Sequence, residues 1–134
     1  MEYIFEYEFE VRDYECDIQG IVNNANYQHY MEHARHRFIQ NFGLDFAELT
    51  KENIILVVTK AELQYKKSLK SNDKFVCRMN IGKQGIRYIF YEDIYRLPDN
   101  ELCTKGRFEI VSLIDGKLGL SEKLEKSLPF MKMV

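Results

Sequence analysis

Apolar and charged residues alternate along the first segment of the chain, MEYIFEYEFEVR. The apolar residues occupy every second position, at Tyr3, Phe5, Tyr7, Phe9 and Val11. A period of two places successive side chains on opposite faces of an extended backbone. The segment is therefore predicted to form a half-buried β-strand.

A helical period replaces this alternation after residue 24. One broad apolar stripe is formed by Tyr27, Tyr30, Met31, Ala34, Phe38 and Phe42. Their spacing is typical of one face of an α-helix. Gly43 is placed to end this helix in the left-handed conformation. Asp45 is then predicted to cap one short additional turn that reaches about Lys51.

From residue 53 onward the pattern indicates strands. Two alternating faces are predicted, one at Val57, Thr59, Ala61, Leu63 and Tyr65 and the other at Phe75, Cys77, Met79 and Ile81. Residues 86–97 and 102–114 are long, aromatic and β-branched, which is typical of central strands. Hairpin turns are predicted at residues 82–85 and 98–100, so these strands should pair antiparallel.

A short terminal helix is predicted after Ser121, which suits an N-cap, and before Pro129. The long helix then has only the sheet against which to bury its apolar stripe. We therefore predict an α+β fold in which a curved antiparallel sheet wraps around one long central helix. Residues 1–134 are predicted to form a single domain.

The composition is that of a folded protein, since 46% of the residues are hydrophobic and 30% are charged. No apolar run approaches the roughly 20 residues that span a membrane, and the acidic N-terminal segment does not read as a secretory signal. We therefore expect no membrane association and a cytoplasmic location. The formal net charge of −2 provides no basic field for nucleic acid.

The three cysteines are too scattered to form a CxxC metal or redox motif. We expect reduced thiols, with Cys77 and Cys103 buried in strands. Cys16 lies beside Asp17, but neighbours in an extended segment point to opposite sides. Only one of these two side chains can therefore face a common site, and Cys16 is expected to be passive.

The segment DIQGIVNNANY carries the main candidate for chemistry. Gly20 allows the chain to turn sharply after Asp17. Asn23, Asn24 and Asn26 suit a helix N-terminus, whose free N–H groups and dipole favour negative charge. A carboxylate opposite such donors provides a base or nucleophile on one side of a carbonyl and an oxyanion hole on the other. A structural alternative stays open, because Asp17 could simply cap or balance the helix end.

These residues resemble the signature of hotdog-fold thioesterases. Residues 17–27 match the pattern Asp-x-x-Gly-x-Val-x-(His/Tyr/Asn)-x-x-Tyr of the hydroxybenzoyl-CoA and acyl-CoA thioesterase branch. Residues 12–24 also resemble small plant acyl-acyl-carrier-protein thioesterases. The motif covers residues 12–37, while the order of elements is similar over nearly the whole chain.

The resemblance implies hydrolysis of an acyl-CoA or acyl-carrier-protein thioester. It implies that Asp17 is the catalytic nucleophile or general base and that the backbone N–H of Asn24 polarises the thioester carbonyl. The substrate would also contact Gly20, Val22, Asn23 and Tyr27. No separate cofactor is implied, because coenzyme A or phosphopantetheine is part of the substrate.

Three departures from related families narrow the range of reactions expected. Many relatives have His or Tyr where this chain has Asn24, so an acid role of that side chain is doubtful, although the backbone donor remains. The Asn-x-His dyad of larger plant thioesterases is missing, since Gln19 and Ile21 occupy its places. The Asp-His pair of hotdog hydratases is missing as well. Thioester hydrolysis is therefore favoured over hydration.

Basic residues provide candidates for binding the carrier. Lys66, Lys67, Lys70 and Lys74 form a cluster between two predicted strands. The cluster could be an ordinary solvated turn, or Lys67 and Lys70 could contact the phosphates of coenzyme A or an acidic carrier protein. Arg87, beside another strand, is a further candidate.

Three histidines, His29, His33 and His36, share one face of the long helix. This face is predicted to lie opposite the apolar stripe and to meet solvent or a partner subunit. The HExxH zinc motif needs a glutamate directly after its first histidine, whereas Ala34 follows His33. No metal site is therefore predicted.

A single curved sheet leaves edge strands without partners, and pairing those edges would hide them. We therefore expect a homo-oligomer, a dimer or a tetramer, with sites at subunit interfaces that combine Asp17 of one chain with basic residues of another.

Two other functions stay open: a non-catalytic acyl-binding domain with the same fold, and a hotdog hydratase or isomerase.

Overall fold

The computed structural model describes residues 2–130. Six strands, three α-helices and one 3-10 turn follow one another along the chain. Their bounds are β1 Phe5–Glu10, the 3-10 turn Asp13–Glu15, α1 Asn24–Asn41, α2 Phe46–Lys51, β2 Ile54–Tyr65, β3 Lys74–Gln84, β4 Arg87–Leu97, β5 Glu101–Ile114, β6 Lys117–Leu118 and α3 Glu122–Ser127. The predicted order of elements is confirmed, while β6 and the 3-10 turn were not predicted.

The strands form one antiparallel sheet in the order β1-β3-β4-β5-β2, with β6 beside β5. The strands predicted to be central, β4 and β5, each lie between two others, as does β3. The outermost strands of this path are β1 and β2. The predicted α+β fold, a curved antiparallel sheet with one long helix packed on it, is confirmed.

Helix α1 packs on the sheet through the predicted stripe. Its buried side chains are Tyr27, Tyr30, Met31, Ala34, Arg35, Phe38 and Ile39. They meet inward residues of β1, β3 and β4, where Phe38 stands edge-on to Phe5 and to Phe90. Burial of these large apolar side chains is the main force that holds the helix against the sheet.

The helix ends follow the predicted chemistry. The Asn23 side chain accepts a hydrogen bond from Ala25 N–H at the start of α1, and Gly43 adopts φ = +83° just past its end. Asp45 caps α2 and Ser121 caps α3 through their side-chain oxygens. Leu124 and Leu128 anchor α3 in the core.

The prediction that Val57 and Ala61 lie on the same face of β2 is wrong. A β-bulge between Val58 and Lys60 adds one residue to this strand, so that the alternation changes face at Thr59. Val57 pairs with Val111, whereas Ala61 pairs with Phe108, and these two positions of β5 point to opposite faces. Val57 therefore lies on the outer face of the sheet, opposite to Ala61.

The first predicted hairpin turn is shorter than expected. Strand β3 continues to Gln84, which pairs with Arg87, so the connection consists of Gly85 and Ile86. Gly85 has φ = +60°, the backbone conformation that a tight two-residue hairpin requires. Gly82 lies within the strand ladder opposite Ile89. The second predicted turn, at residues 98–100, is confirmed.

Gly106 lies on β5 where Met31 of α1 contacts the sheet. A Cβ atom at this position would lie 2.8 Å from Met31 Sδ and 3.0 Å from the carbonyl oxygen of Glu92. A larger residue here would require the flexible end of Met31 to move and would lie tightly against the Glu92 carbonyl, so close packing rather than a left-handed backbone favours glycine.

Candidate functional site

The N-terminus of α1 presents an unused backbone donor. Asn23 accepts hydrogen bonds from two of the first N–H groups of α1. Its side chain accepts from Ala25 N–H at 3.0 Å, and its carbonyl accepts from Asn26 N–H at 2.9 Å. Within residues 2–130, the Asn24 N–H has no hydrogen-bond partner. It stands at the positive end of an 18-residue helix, where partial charge and a free donor attract an oxyanion.

Asp17 opens a tight turn that precedes this helix. Cys16 and Val22 form an isolated bridge, and Gly20 has φ = +80°. The Asp17 side chain accepts hydrogen bonds through Oδ1 from Gln19 N–H at 2.8 Å and from Ile21 N–H at 3.4 Å. Asp17 itself is exposed, so its carboxylate is oriented by the turn and is open to a ligand.

Glu15 connects the turn to the helix and was missed by the sequence prediction as a site residue. Its side chain accepts hydrogen bonds from Arg12 N–H at 2.8 Å and from the Tyr30 hydroxyl at 2.9 Å. Its carbonyl accepts from Asn23 N–H and from the Asn26 side-chain amide. These bonds fix the start of α1 relative to the Asp17 turn. The only feature of the sequence that pointed to this role of Glu15 is its position, two residues before Asp17.

Tyr27 ties the basic loop, residues 66–70, to the helix. Its buried hydroxyl accepts a hydrogen bond from Leu69 N–H at 3.0 Å. The carbonyl of Leu69 accepts from Val22 N–H, and Lys70 forms an isolated bridge with Ile21. The loop, the Asp17 turn and the helix start are therefore joined at one end of the protomer. Burial raises the pKa of the Tyr27 hydroxyl, which keeps it neutral.

A small cavity of about 120 Å³ opens at the Asn24 end of the helix. It is lined by Asn24, Tyr27, Tyr65, Lys66, Lys67 and Ser68. The Tyr65 hydroxyl donates to the Asn24 carbonyl at 3.5 Å, a weak contact. The cavity combines a free N–H donor with two lysines and aromatic walls. Tyr65, at the end of β2, was not predicted as a site residue.

The cavity gathers only part of the predicted site. Asn24, Tyr27 and Lys67 line it, whereas Asp17, Gly20, Asn23 and Lys70 do not. Val22 is 2% exposed and supports the turn from the core. Lys67 is exposed and lies 3.9 Å from Glu101, too loosely paired to be held there.

Arg87 lies at the opposite end of the sheet in the same protomer. It pairs with Val111, while Tyr65 pairs with Thr104, seven residues earlier on β5. At the rise of an extended strand this separation is about 23 Å. One chain alone therefore does not bring Arg87 to the Asn24 cavity.

The histidine face differs in part from the prediction. His29, His33 and His36 are exposed, yet His33 packs edge-on to Tyr7 and Phe9 of β1 and the His36 ring lies 4.4 Å from that of Phe46 in α2. Burial is the main cause that lowers the pKa of His33 and of His36. In residues 2–130, no cluster of three or more His, Cys, Asp or Glu side chains could hold a metal ion.

The cysteines are free thiols, and Cys77 and Cys103 are buried in β3 and β5 as predicted. Burial, aided by the nearby charges of Asp13 and Asp17, raises the pKa of Cys16. A raised pKa leaves less thiolate for nucleophilic attack. The pKa shift therefore agrees with the prediction that Cys16 is passive.

A buried ion pair between α1 and β4 was also not predicted. Arg35 Nη1 donates to Glu92 Oε2 at 2.6 Å, and the guanidinium stacks 4.4 Å from the centre of the Phe108 ring. Glu92 is fully buried, and burial raises its pKa to about 7 although Arg35 opposes that shift. Glu92 Oε1 and Thr104 Oγ1 have no hydrogen-bond partner among the described residues.

The raised pKa of Glu92 predicts how stability depends on pH. A carboxyl whose pKa rises from 4.5 to about 7 on folding stabilises the fold fully below about pH 4.5 and loses this contribution as the pH rises through about 7. Relative to Glu92→Gln, the wild type should lose about 3 kcal/mol of unfolding free energy across this range. Urea unfolding of both proteins between pH 4 and 8 checks this, and a constant difference would contradict it.

The curved antiparallel sheet with one long helix packed on it is the hotdog fold, which solved structures share with this chain. Residues 11–128 match the family model of the thioesterase-like superfamily. The chain therefore belongs to this superfamily. In the described residues, no helix is long and apolar enough to cross a membrane.

Three similar proteins illustrate the membership. The chloroplastic acyl-acyl carrier protein thioesterase ATL3 of Arabidopsis thaliana is 37% identical over 97 residues, which cover 72% of this chain and 51% of that protein. A putative esterase of Aquifex aeolicus is 35% identical over 81% of this chain and 91% of its own length. The crystal structure of a DHNA-CoA thioesterase from Staphylococcus aureus superposes with a TM-score of 0.80 at 27% identity, covering 90% of this chain and 80% of that one.

The chain spans about half the length of the plant relatives that it matches. The Aquifex protein and the Staphylococcus structure are covered over most of their length, so the shared unit is the whole curved sheet with its helix. The resemblance found in the motif of residues 12–37 therefore extends over the fold.

Proposed function

We propose that this protein is a thioesterase that hydrolyses an acyl-CoA or acyl-carrier-protein thioester to the free acid and the thiol. The observation that carries the proposal is the arrangement at the start of α1. There, an exposed carboxylate oriented by its own turn stands at the same end of the protomer as an unused helix N–H beside two lysines. The names of the Arabidopsis and Staphylococcus proteins support this class of substrate.

In the proposed mechanism the thioester carbonyl oxygen accepts a hydrogen bond from the Asn24 N–H. Asp17 either removes a proton from an attacking water or attacks the carbonyl carbon itself, in which case water then cleaves the resulting anhydride. In both routes the C–S bond breaks, the thiol leaves with a proton, and the acid is released. The helix N-terminus stabilises the negative charge that develops on the carbonyl oxygen.

The lysines of the basic loop provide the proposed binding site for the carrier. Lys66 and Lys67 line the Asn24 cavity, and Lys70 lies on the same loop beside the Asp17 turn. Phosphate groups occur both in coenzyme A and in the phosphopantetheine arm of a carrier protein. Exposed ammonium groups at the mouth of the cavity suit either carrier.

We propose further that the site is completed in a homo-oligomer through β2. This outermost strand leaves Ile55, Val57, Val58 and Tyr65 exposed, with Ile55 at 50%. An apolar edge strand is a surface for pairing with another strand. Ile18, fully exposed at the tip of the Asp17 turn, adds a second apolar contact beside the site.

Antiparallel pairing of two β2 strands around a two-fold axis would place the Tyr65 end of one strand beside the Ile54 end of the other. In each chain Arg87 lies near that Ile54 end, since Val111 pairs with both Val57 and Arg87. The pairing would therefore bring Arg87 of the second copy toward the cavity formed by Asn24 and Lys67 of the first. Each proposed site combines Asp17 of one chain with Arg87 of the other.

A panel of aliphatic and aromatic acyl groups, each presented on coenzyme A and on a carrier protein, tests the proposed reaction. Steady-state release of thiol on at least one carrier is the expected result. Tight acyl-CoA binding without release would instead indicate a non-catalytic binding domain. Hydration of an enoyl-CoA with the thioester left intact would identify a hydratase.

Mixed oligomers test the composite site. We expect Asp17→Asn chains and Arg87→Glu chains to be poorly active alone but to recover activity when unfolded and refolded together. In a random mixture of dimers half are hybrids, and each hybrid has one intact site of two, so about one quarter of wild-type activity should return. Thiol release at a substrate concentration below KM measures the recovery.

Arg107→Glu is a matched control, because both Arg87 and Arg107 form an ion pair with Glu109. Loss of that pair alone should leave hydrolysis near the wild-type rate. If mixing yields no more activity than the parent variants, or if a demonstrably monomeric preparation is fully active, the composite site is wrong.

A further inference from the structure

A second cavity lies further along the same helix. It has a volume of about 370 Å³ and is lined by Ala25, Gln28, His29, Glu32, Arg35, Val58 and Phe108. Ala25 directly follows Asn24, and both cavities are bounded by α1 and by β2, at Tyr65 and Val58. The two cavities share no lining residue, and each marks one part of the path along α1 from Asn24 to Arg35.

The far end of this path is polar. Arg35 is 6% exposed and donates only one hydrogen bond, from Nη1 to Glu92. Among the described residues, the fully buried side-chain polar atoms without a partner are Glu92 Oε1 and Thr104 Oγ1. The other Arg35 nitrogens do not belong to this set. They are therefore accessible from the cavity that Arg35 lines. A guanidinium has five N–H donors in a fixed plane, so several remain available.

The surroundings of Arg35 decide what kind of group it can bind. Its positive charge already faces the Glu92 carboxyl at 2.6 Å, and its other face covers the Phe108 ring. Glu32 lines the same cavity, so a further carboxylate brought into this pocket would meet two acidic side chains. A neutral oxygen can accept an unused N–H without that cost, and a purely hydrocarbon end would leave the donors without a partner.

We propose that Arg35 is a specificity-determining residue that selects acyl groups bearing a neutral oxygen, a hydroxyl or a carbonyl, remote from the thioester. This inference rests on the proposed thioesterase function. Asn24 and Arg35 are eleven residues apart, about 16 Å along a helix axis, although long side chains lean back toward the helix N-terminus. The oxygen is therefore recognised only on an acyl group that is long enough to reach it.

Acyl-CoA esters from hexanoyl to tetradecanoyl, each with and without a terminal hydroxyl, test the assignment. In the wild type the hydroxyl should raise kcat/KM by about tenfold once the chain is long enough, as one hydrogen bond from a charged donor allows. The shorter pairs should show no difference. An ω-carboxy ester of the best length should be hydrolysed more slowly than the hydroxy ester.

The test variant replaces both partners of the ion pair, because Arg35→Met alone would leave Glu92 buried without its cation. Arg35→Met/Glu92→Leu substitutes apolar groups for both, a change that buried ion pairs often tolerate. Its ratio of kcat/KM for hydroxy and plain esters should fall to about one. Glu92→Gln is the matched control, since it keeps Arg35 and a hydrogen-bond acceptor, and it should retain the wild-type ratio.

Equal rates for every hydroxy and plain pair in the wild type would overturn the assignment, as would an unchanged ratio in the double variant. A preference for the ω-carboxy ester would overturn the choice of a neutral oxygen. These results differ from failure of the proposed function itself, in which no ester of the series is hydrolysed.

Discussion

Asp17→Asn should lower kcat for thioester hydrolysis by about 10²–10⁴-fold, the usual contribution of a general base. Asparagine keeps a side-chain oxygen that can accept the Gln19 and Ile21 N–H groups, so the turn should keep its shape. It lacks the negative charge needed to deprotonate water or to attack a carbonyl. Steady-state thiol release, together with a thermal unfolding curve close to that of the wild type, checks the prediction.

Asp45→Asn provides the matched control. Asp45 accepts the Ala47 N–H at 2.7 Å at the start of α2, so it is also an exposed aspartate whose oxygen caps a local N–H group. The same chemical change there should leave kcat unaltered. If Asp17→Asn retains the wild-type rate, Asp17 is a turn residue only, which is the structural alternative left open by the sequence.

Asn24→Pro should lower kcat by about 10²–10³-fold, the typical effect of removing one oxyanion-hole donor. Proline has no backbone N–H, and it is well tolerated at the first position of a helix. The preceding residue, Asn23, has φ = −64° and ψ = 136°, an extended conformation that a following proline favours. The substitution therefore removes the proposed donor at little cost to the helix.

Asn24→Ala separates the backbone from the side chain at this position. Alanine keeps the N–H and removes the amide, so this variant should hydrolyse thioesters at close to the wild-type rate. Far-ultraviolet circular dichroism of both variants monitors α1. If proline and alanine lower kcat equally, the Asn24 side chain acts rather than its N–H, and the proposed oxyanion hole is wrong.

Local periodicity predicted most of the fold. The stripe from Tyr27 to Phe42 is set by residues three and four apart, and the caps at Asn23, Asp45 and Ser121 depend on neighbours within three residues. Such short-range chemistry can be read from one sequence. The Asp17 turn and the Asn24 helix start were found for the same reason, since the segment carries its own turn residues.

What the sequence did not predict depends on contacts between distant residues. Arg35 and Glu92 are 57 positions apart, so no local pattern in the sequence pairs them. The bulge at Thr59 depends on the pairing of β2 with β5. A simple alternation through Val57 and Ala61 therefore assigned Val57 to the wrong face of the sheet. The position of Arg87 relative to Asn24 follows from strand register, which a period of two does not determine.

The contact at Gly106 limits how this protein can accommodate a substrate. The end of the Met31 side chain lies against the backbone of β5 at Gly106, so a movement of α1 toward this strand would require that side chain to shift. Room for a longer acyl group is then gained more easily from the exposed side chains of β2, such as Val58 and Tyr65, than from this contact. Selection for a new substrate in this protein would act on those exposed side chains before it acted on the core.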